Sequence, residues 1–266
     1  MAPSQRATLH RLQELSAAGE FEEAEARARA LAAAPRVWGG DPLIVSWLAR
    51  SSAATAAIRH GRGAETLPEL ETLITEVERT VEGGPELRAM LLGLRSNRVA
   101  VLVQQDRCTE AEAEAKDILR AITRLAHLTE VRDTELAALI NLAAALNGQG
   151  RYEEAEAIAR GNLTRADELT ADDLRHILAR SLNGQARYEE ALVEVRRLAP
   201  VNRADSGAVD LAKARALHGL GRRSEAETTA RQALTVCEQF LHPAHPRIQD
   251  ARTLLTRIAA EDPAPE

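Results

Sequence analysis

Apolar positions along this chain recur at helical spacing and fall in pairs of runs separated by short breaks. The clearest pair surrounds residue 150. Leu136, Leu139, Ile140, Leu142, Ala143 and Leu146 form an i, i+3, i+4, i+7 stripe. After the break Gly148-Gln149-Gly150, the residues Tyr152, Ala155, Ile158, Ala159 and Leu163 form a second stripe. The same pairing joins residues 174–182 to 188–198 and 209–220 to 224–240. A final run carries Ile248, Ala251, Leu254, Leu255 and Ile258. Strand formers never gather in alternating runs. The pattern predicts helical hairpins and no sheet.

One phrase marks the joint of each hairpin. Gly150-Arg151-Tyr152-Glu153-Glu154-Ala155-Glu156-Ala157 returns as Ala186-Arg187-Tyr188-Glu189-Glu190-Ala191-Leu192-Val193. Weaker copies start at Gly19, Asp106 and Gly221. Aligned on the residue before the aromatic position, the anchors are Glu20, Arg62, Arg107, Arg151, Arg187 and Arg222, at intervals of 42, 45, 44, 36 and 35 residues. Recurrence at this period is the signature of a stacked-helix solenoid. Glycine at the joint can close a helix in the left-handed conformation. The Glu pair falls in the first turn of the second helix, where the helix dipole favours negative charge. A small Ala follows where the two helices approach. Between hairpins stand Pro35, Gly39-Gly40-Asp41-Pro42, Gly83-Gly84-Pro85, Pro200, and Pro243 with Pro246.

The expected architecture is an all-α, right-handed superhelical solenoid. It is one domain over residues 1–260, with hairpins at 5–34, 42–80, 86–127, 133–168, 172–199 and 207–241. A capping helix follows at 246–260, and a disordered tail at 261–266.

Composition refines this picture. Apolar residues make up 45% of the 266 but aromatics only 2%, so the core must be built from Ala and Leu. The net charge of −6, with basic residues scattered among acidic ones, argues against nucleic acid as a partner. The bias to Arg and Ala hints at a GC-rich bacterial genome. Two distant cysteines, Cys108 and Cys237, fit a reducing compartment. The N-terminus lacks the apolar core of a signal peptide, and no apolar stretch is long enough to span a bilayer. The expected location is the cytoplasm, with no membrane partner.

The phrase Leu142-Ala143-x-x-Leu146-x-x-Gln149-Gly150-Arg151-Tyr152-Glu153-Glu154-Ala155-Glu156 closely resembles the tetratricopeptide repeat. The long intervals, Asn141, and Leu241-His242-Pro243-Ala244-His245-Pro246 resemble its kinesin-light-chain variety, whose bacterial versions are often regulatory or signalling proteins. The resemblance covers roughly residues 5–260. It departs at Gly63, Cys108 and Arg223, where the aromatic is missing. Nothing resembles the ATPase module that can accompany such repeats. The resemblance implies an interaction module that presents the first helix of each hairpin on a concave groove, where a peptide or partner helix is held.

Residues on the first helices, on the face away from the Leu stripe, are the groove candidates: Asn97, Asn141, Asn147, His176, Arg180, Asn183, Arg215 and His218. Asn offers donor and acceptor to a peptide backbone, and Arg grips carboxylates bidentately. The Lys–Asn clamp of carboxylate-binding tetratricopeptide domains is not evident. His242 and His245 lack an acidic or Cys neighbour and read as an inter-repeat turn, so no metal site is expected. Cys108 and Cys237 read as core residues. Trp38 and Trp47 pack the second hairpin, or one of them anchors a partner. The recurring Glu pairs are structural, not catalytic. No phosphate loop, dinucleotide fingerprint, zinc-protease motif or nucleophile elbow is present. No cofactor is expected.

The expected function is a protein–protein adaptor or scaffold holding a partner peptide or protein in the groove. The alternative is a regulatory sensor that changes curvature on binding a signalling peptide or small effector, and an enzyme or enzyme subunit is the weakest reading. Exposed solenoid ends can pair, which leaves a homodimer open.

Overall fold

The structure is a computed structural model that describes residues 3–34, 41–80, 84–198 and 203–260. Trp38, Pro35, Gly39, Gly40, Gly83, Pro200 and the tail 261–266 lie outside the described residues. Among the described residues the chain forms thirteen α-helices and no strand: α1 (Pro3–Ala17), α2 (Phe21–Ala33), α3 (Pro42–His60), α4 (Gly63–Glu78), α5 (Pro85–Gln104), α6 (Cys108–Leu125), α7 (Arg132–Gly148), α8 (Tyr152–Asn162), α9 (Glu168–Gly184), α10 (Tyr188–Arg197), α11 (Arg203–Gly219), α12 (Arg223–Phe240) and α13 (Pro246–Ala260). The fold is an all-α repeat solenoid.

Each joint is built the same way. The N–H of Glu20, Arg62, Arg107, Arg151, Arg187 and Arg222 donates to the carbonyl five residues back, at 2.8 or 2.9 Å. That closure requires a left-handed residue just before the anchor. Gly150 fills it at φ 76 and Gly221 at φ 73. Asp106 and Ala186 are forced into the same conformation at φ 60 and 58. For a side chain with a Cβ this costs roughly 1–2 kcal/mol, which the surrounding helices must offset.

The anchor arginine also holds the helix it precedes. Arg107, Arg151, Arg187 and Arg222 each grip the Glu three residues on with two parallel bonds of 2.7–2.9 Å, to Glu110, Glu154, Glu190 and Glu225. These arginines keep Glu110, Glu190 and Glu225 below the usual carboxylate range.

The chain divides into two compact units, residues 1–138 and 139–266, with the division inside α7. In the first unit each helix packs on the next, and α3 also touches both α1 and α5. Its core gathers Trp47, Ala54, Ile58, Leu70, Leu73, Ile74, Val77, Leu94 and Val101. Leu12, Ala28, Leu31, Val45, Ala49 and Ala53 form a neighbouring cluster. Trp47 is 2% exposed, and its indole N–H donates to Glu76 at 3.3 Å. The partner-anchor reading of Trp47 is therefore wrong: its ring is spent inside the second hairpin.

In the second unit α8 to α13 again pack in sequence, and α9, α11 and α13 form an inner row. Leu174, Leu178, Leu182, Leu217 and Ile258 are buried against Ala214, Ala226, Ala230, Ala233 and Ala251. Each fully buried leucine contributes about 1.5–3 kcal/mol, and the alanines let the helix backbones come close enough to trap it. Cys108 and Cys237 are buried, and burial pushes the Cys237 thiol up. The imidazoles of His242 and His245 accept main-chain N–H groups of Ala244 and Arg247 through Nδ1, a turn role.

At the starts of α8 and α10 the aromatic slot pairs a large ring with a small partner. Tyr152 covers Gly184 and Tyr188 covers Gly219, both at the end of the next first helix, where a Cβ would fall inside the ring. Where the slot holds Gly63, the partner is large. Gln104 fills the space, 2.6 Å from where a Gly63 Cβ would be, and donates to Ile58 O. Where it holds Arg223, the guanidinium donates to Ile258 O at the end of α13. The missing aromatics at Gly63 and Arg223 thus have substitutes, and the second helices that begin at Gly63, Cys108 and Arg223 all form.

Glu156, on α8, ties one hairpin to the next. It accepts from Arg160 on its own helix and from Gln185 and Arg187 at the following joint, each at 2.7 Å. Burial works to raise its pKa, but Arg160, Gln185 and Arg187 outweigh this and hold it below the usual range. A depressed folded-state pKa contributes stability that is present above the unfolded value, about 4.3, and lost as pH falls through the folded value. Glu156→Gln is therefore expected to melt lower than wild type at pH 7. The gap should narrow between pH 5 and pH 3 in thermal melts followed by circular dichroism. A constant gap would remove the charge from the account.

Candidate functional site

The inner row of the second unit carries equivalent residues every 35 positions. Arg180, Arg215 and Asp250 are one set, Asn183, His218 and Thr253 the next, and Gly184, Gly219 and Leu254 the third. A 35-residue period on stacked helices places each set along one ridge. These residues surround a cleft of about 350 Å³, together with Asn147, Tyr152, Tyr188 and Arg257. The two tyrosines line it from the starts of α8 and α10, where each ring lies over its glycine.

Five of the eight sequence candidates line this cleft: Asn147, Arg180, Asn183, Arg215 and His218. Asn141 and His176, on α7 and α9, do not line it. Asn97 belongs to the first unit, where its amide donates to Thr55 Oγ1 at 2.9 Å and ties α5 to α3. Asn97 is not among the residues of the second unit's cleft.

The cleft asparagines are likewise engaged within the fold. Asn147, 3% exposed, donates to Ile177 O at 3.2 Å, and its Oδ1 lies 2.9 Å from the Ser181 hydroxyl. Asn183 repeats the first bond, donating to Ala212 O at 3.1 Å. Their amide nitrogens link successive inner helices while both residues line the cleft.

The repeat of this tie is incomplete. Ala216 stands where Ser181 would recur, and Asn183 Oδ1 is buried with no hydrogen-bond partner. Ala216→Ser is expected to supply the missing donor and stabilise the unit by about 0.5–1.5 kcal/mol. Ser181→Ala should cost about 1–3 kcal/mol by stranding Asn147 Oδ1. Urea midpoints of the two variants would check both signs, and a destabilised Ala216→Ser would mean that the seam has no room for the hydroxyl.

The charged residues point to chemistry beyond the fold. Three arginines line the cleft against one carboxylate, although the whole chain carries −6. Arg215 pairs with Asp250 at 2.7 Å across α11 and α13. Arg180 and Arg257 are exposed on the flanking helices α9 and α13. Sequence reasoning missed Tyr152, Tyr188, Asp250, Thr253 and Arg257 as lining residues. The 35-residue interval linking Arg180, Arg215 and Asp250 was the signal that could have found the last helix's share.

A sequence model described as the tetratricopeptide repeat matches residues 136–169, which span most of α7, the joint at Gly150, all of α8 and the start of α9. A solved structure of a Rap protein complexed with competence and sporulation factor is similar over 97% of this chain and 71% of its own, with a TM-score of 0.70. Residues 136–169 thus carry a tetratricopeptide repeat. The Rap likeness, at 14% identity, shows the fold alone. No curated protein matches the sequence. In tetratricopeptide terms, the cleft lies on the first helices of the last hairpins and is closed by the helix that follows them. No helix among the described residues is long and apolar enough to cross a membrane.

Proposed function

We propose that this protein is an interaction module that holds a short segment of a partner peptide or protein in the cleft of its second unit. The observation that carries the reading is the convergence of Arg180, Arg215 and Arg257 with Tyr152 and Tyr188 around one cleft, from positions spread between α8 and α13. Tyrosine rings supply flat contact area at low entropic cost, and guanidinium groups supply directed, charge-assisted bonds. A volume of about 350 Å³ is at the small end of ligand sites and suits a few side chains. The Rap structure was solved in complex with competence and sporulation factor, so a chain of this fold can hold a second molecule. The adaptor role, the cytoplasmic location and the absence of catalysis belong to the same proposal.

Affinity capture with the full chain tests it. Wild type should retain a partner that Arg180→Glu/Arg257→Glu loses and that a reversal outside the cleft lining, Arg196→Glu/Arg231→Glu, keeps. Equal capture by all three would move the interface away from the cleft.

A regulatory sensor is the second reading. The cleft walls belong to successive inner helices, so a ligand bridging them would favour one arrangement of those helices over others. Solution scattering that is unchanged on ligand binding would count against it.

A further inference from the structure

The ridge formed by Arg180, Arg215 and Asp250 changes sign at its last member. The two arginines stand at equivalent positions on neighbouring helices, and both line the cleft. The third position could have continued the series. Instead α13 places a carboxylate there, and Asp250 Oδ2 takes the Arg215 guanidinium at 2.7 Å. Neither partner is deeply buried: Arg215 is 30% and Asp250 44% exposed in its side chain. An ion pair this accessible adds little to stability. It does set the charge of the cleft, because Arg215 contacts the protein's own acid before any ligand arrives.

We infer that Asp250 is a built-in competitor for the ligand, and that the cleft selects acidic peptide segments able to displace it. This rests on the reading of the cleft as a peptide site and adds the chemistry of its ligand. An acidic side chain meets Arg180 from one wall and Arg257 from the other, and displaces Asp250 from Arg215 only when it brings enough negative charge. A neutral segment leaves the Arg215–Asp250 pair intact. A basic segment meets three arginines and is rejected. Asp250 therefore sets a threshold: it lowers affinity for every acidic segment while sharpening the preference for those with more than one carboxylate. The overall charge of −6 repels such segments at long range, so recognition depends on short-range contacts inside the cleft.

Selection from a random heptapeptide display library, run on the full chain and on Asp250→Asn, tests this whatever the natural ligand is. Peptides selected by wild type should be enriched in Asp and Glu. One selected peptide is then synthesised with and without its acids changed to Asn and Gln. Its acidic form should bind Asp250→Asn about tenfold more tightly than wild type, and its neutral form equally weakly to both. Selection without acidic enrichment, or an acidic peptide bound no better by Asp250→Asn, would overturn the inference. The parent reading fails differently: the selected peptide would then bind Arg180→Glu/Arg257→Glu as well as wild type. Loss of binding in that double variant, with Asp250→Asn neutral, would sink the competitor role and leave the cleft standing.

Discussion

Gly219→Ala is expected to destabilise the second unit by about 1–3 kcal/mol, although alanine is the better helix former by about 1 kcal/mol. The reason is Tyr188, whose ring lies where the new Cβ would be. The ring cannot retreat cheaply, because it begins α10 and packs against the buried cluster of the second unit. In a Tyr188→Ala background the clash is gone, and Gly219→Ala should become neutral or stabilising. The coupling between the two changes, read from urea midpoints as a double-mutant cycle, isolates the slot from helix propensity. Gly63→Ala is the contrasting case. Its nearest neighbour is the end of the flexible Gln104 side chain, which can swing aside, so its cost should be smaller. Equal penalties at Gly219 and Gly63 would mean that the aromatic slot does not govern the packing.

Reversing Arg180 and Arg257 together is expected to weaken partner binding by about a hundredfold or more. Both side chains are exposed, so the fold should be spared, with each change within about 0.5 kcal/mol of wild type. Arg215 is the poorer choice for this test. A glutamate there would face Asp250 and lose an ion pair between α11 and α13, mixing a structural penalty with a binding one. Because the lost contacts are charge-assisted, wild-type affinity should fall with added salt and the variant's should change less. Binding of the double variant at wild-type affinity would leave the charged cleft without a role.

The hairpins are legible because the joint phrase carries its own chemistry. A left-handed glycine, an arginine three residues before a glutamate and a small alanine each leave a mark in sequence. The double bond from the arginine to that glutamate shows in sequence only as a repeated spacing, and the helix dipole accounts for an acid there equally well. Helical phase alone puts Arg180, Arg215 and His218 away from the Leu stripe, and all three line the cleft. Asn97, Asn147 and Asn183 show the limit of that phase. It separates the Leu stripe from everything else, but a first helix in a stack has two buried seams. One faces its own partner and the other faces the next first helix, and single-helix periodicity cannot distinguish the second seam from the open face. The asparagines sit on that second seam, where an unpaired amide would be costly and a carbonyl or hydroxyl of the neighbouring helix is within reach. The share of α13 is hidden for a different reason. The apolar stripe of a cap says where it packs, while Asp250, Thr253 and Arg257 line the cleft on its other side.

The central claim is that a partner segment lies in this cleft, and a photo-crosslinking residue at Thr253 tests it most directly. Thr253 lines the cleft and is exposed, so the substitution leaves the core alone. The account predicts that the captured partner crosslinks from position 253, that the same probe at the exposed Thr123 of α6 gives none, and that Arg180→Glu/Arg257→Glu abolishes the signal at 253. A partner that crosslinks from position 123 and not from 253 would contradict it.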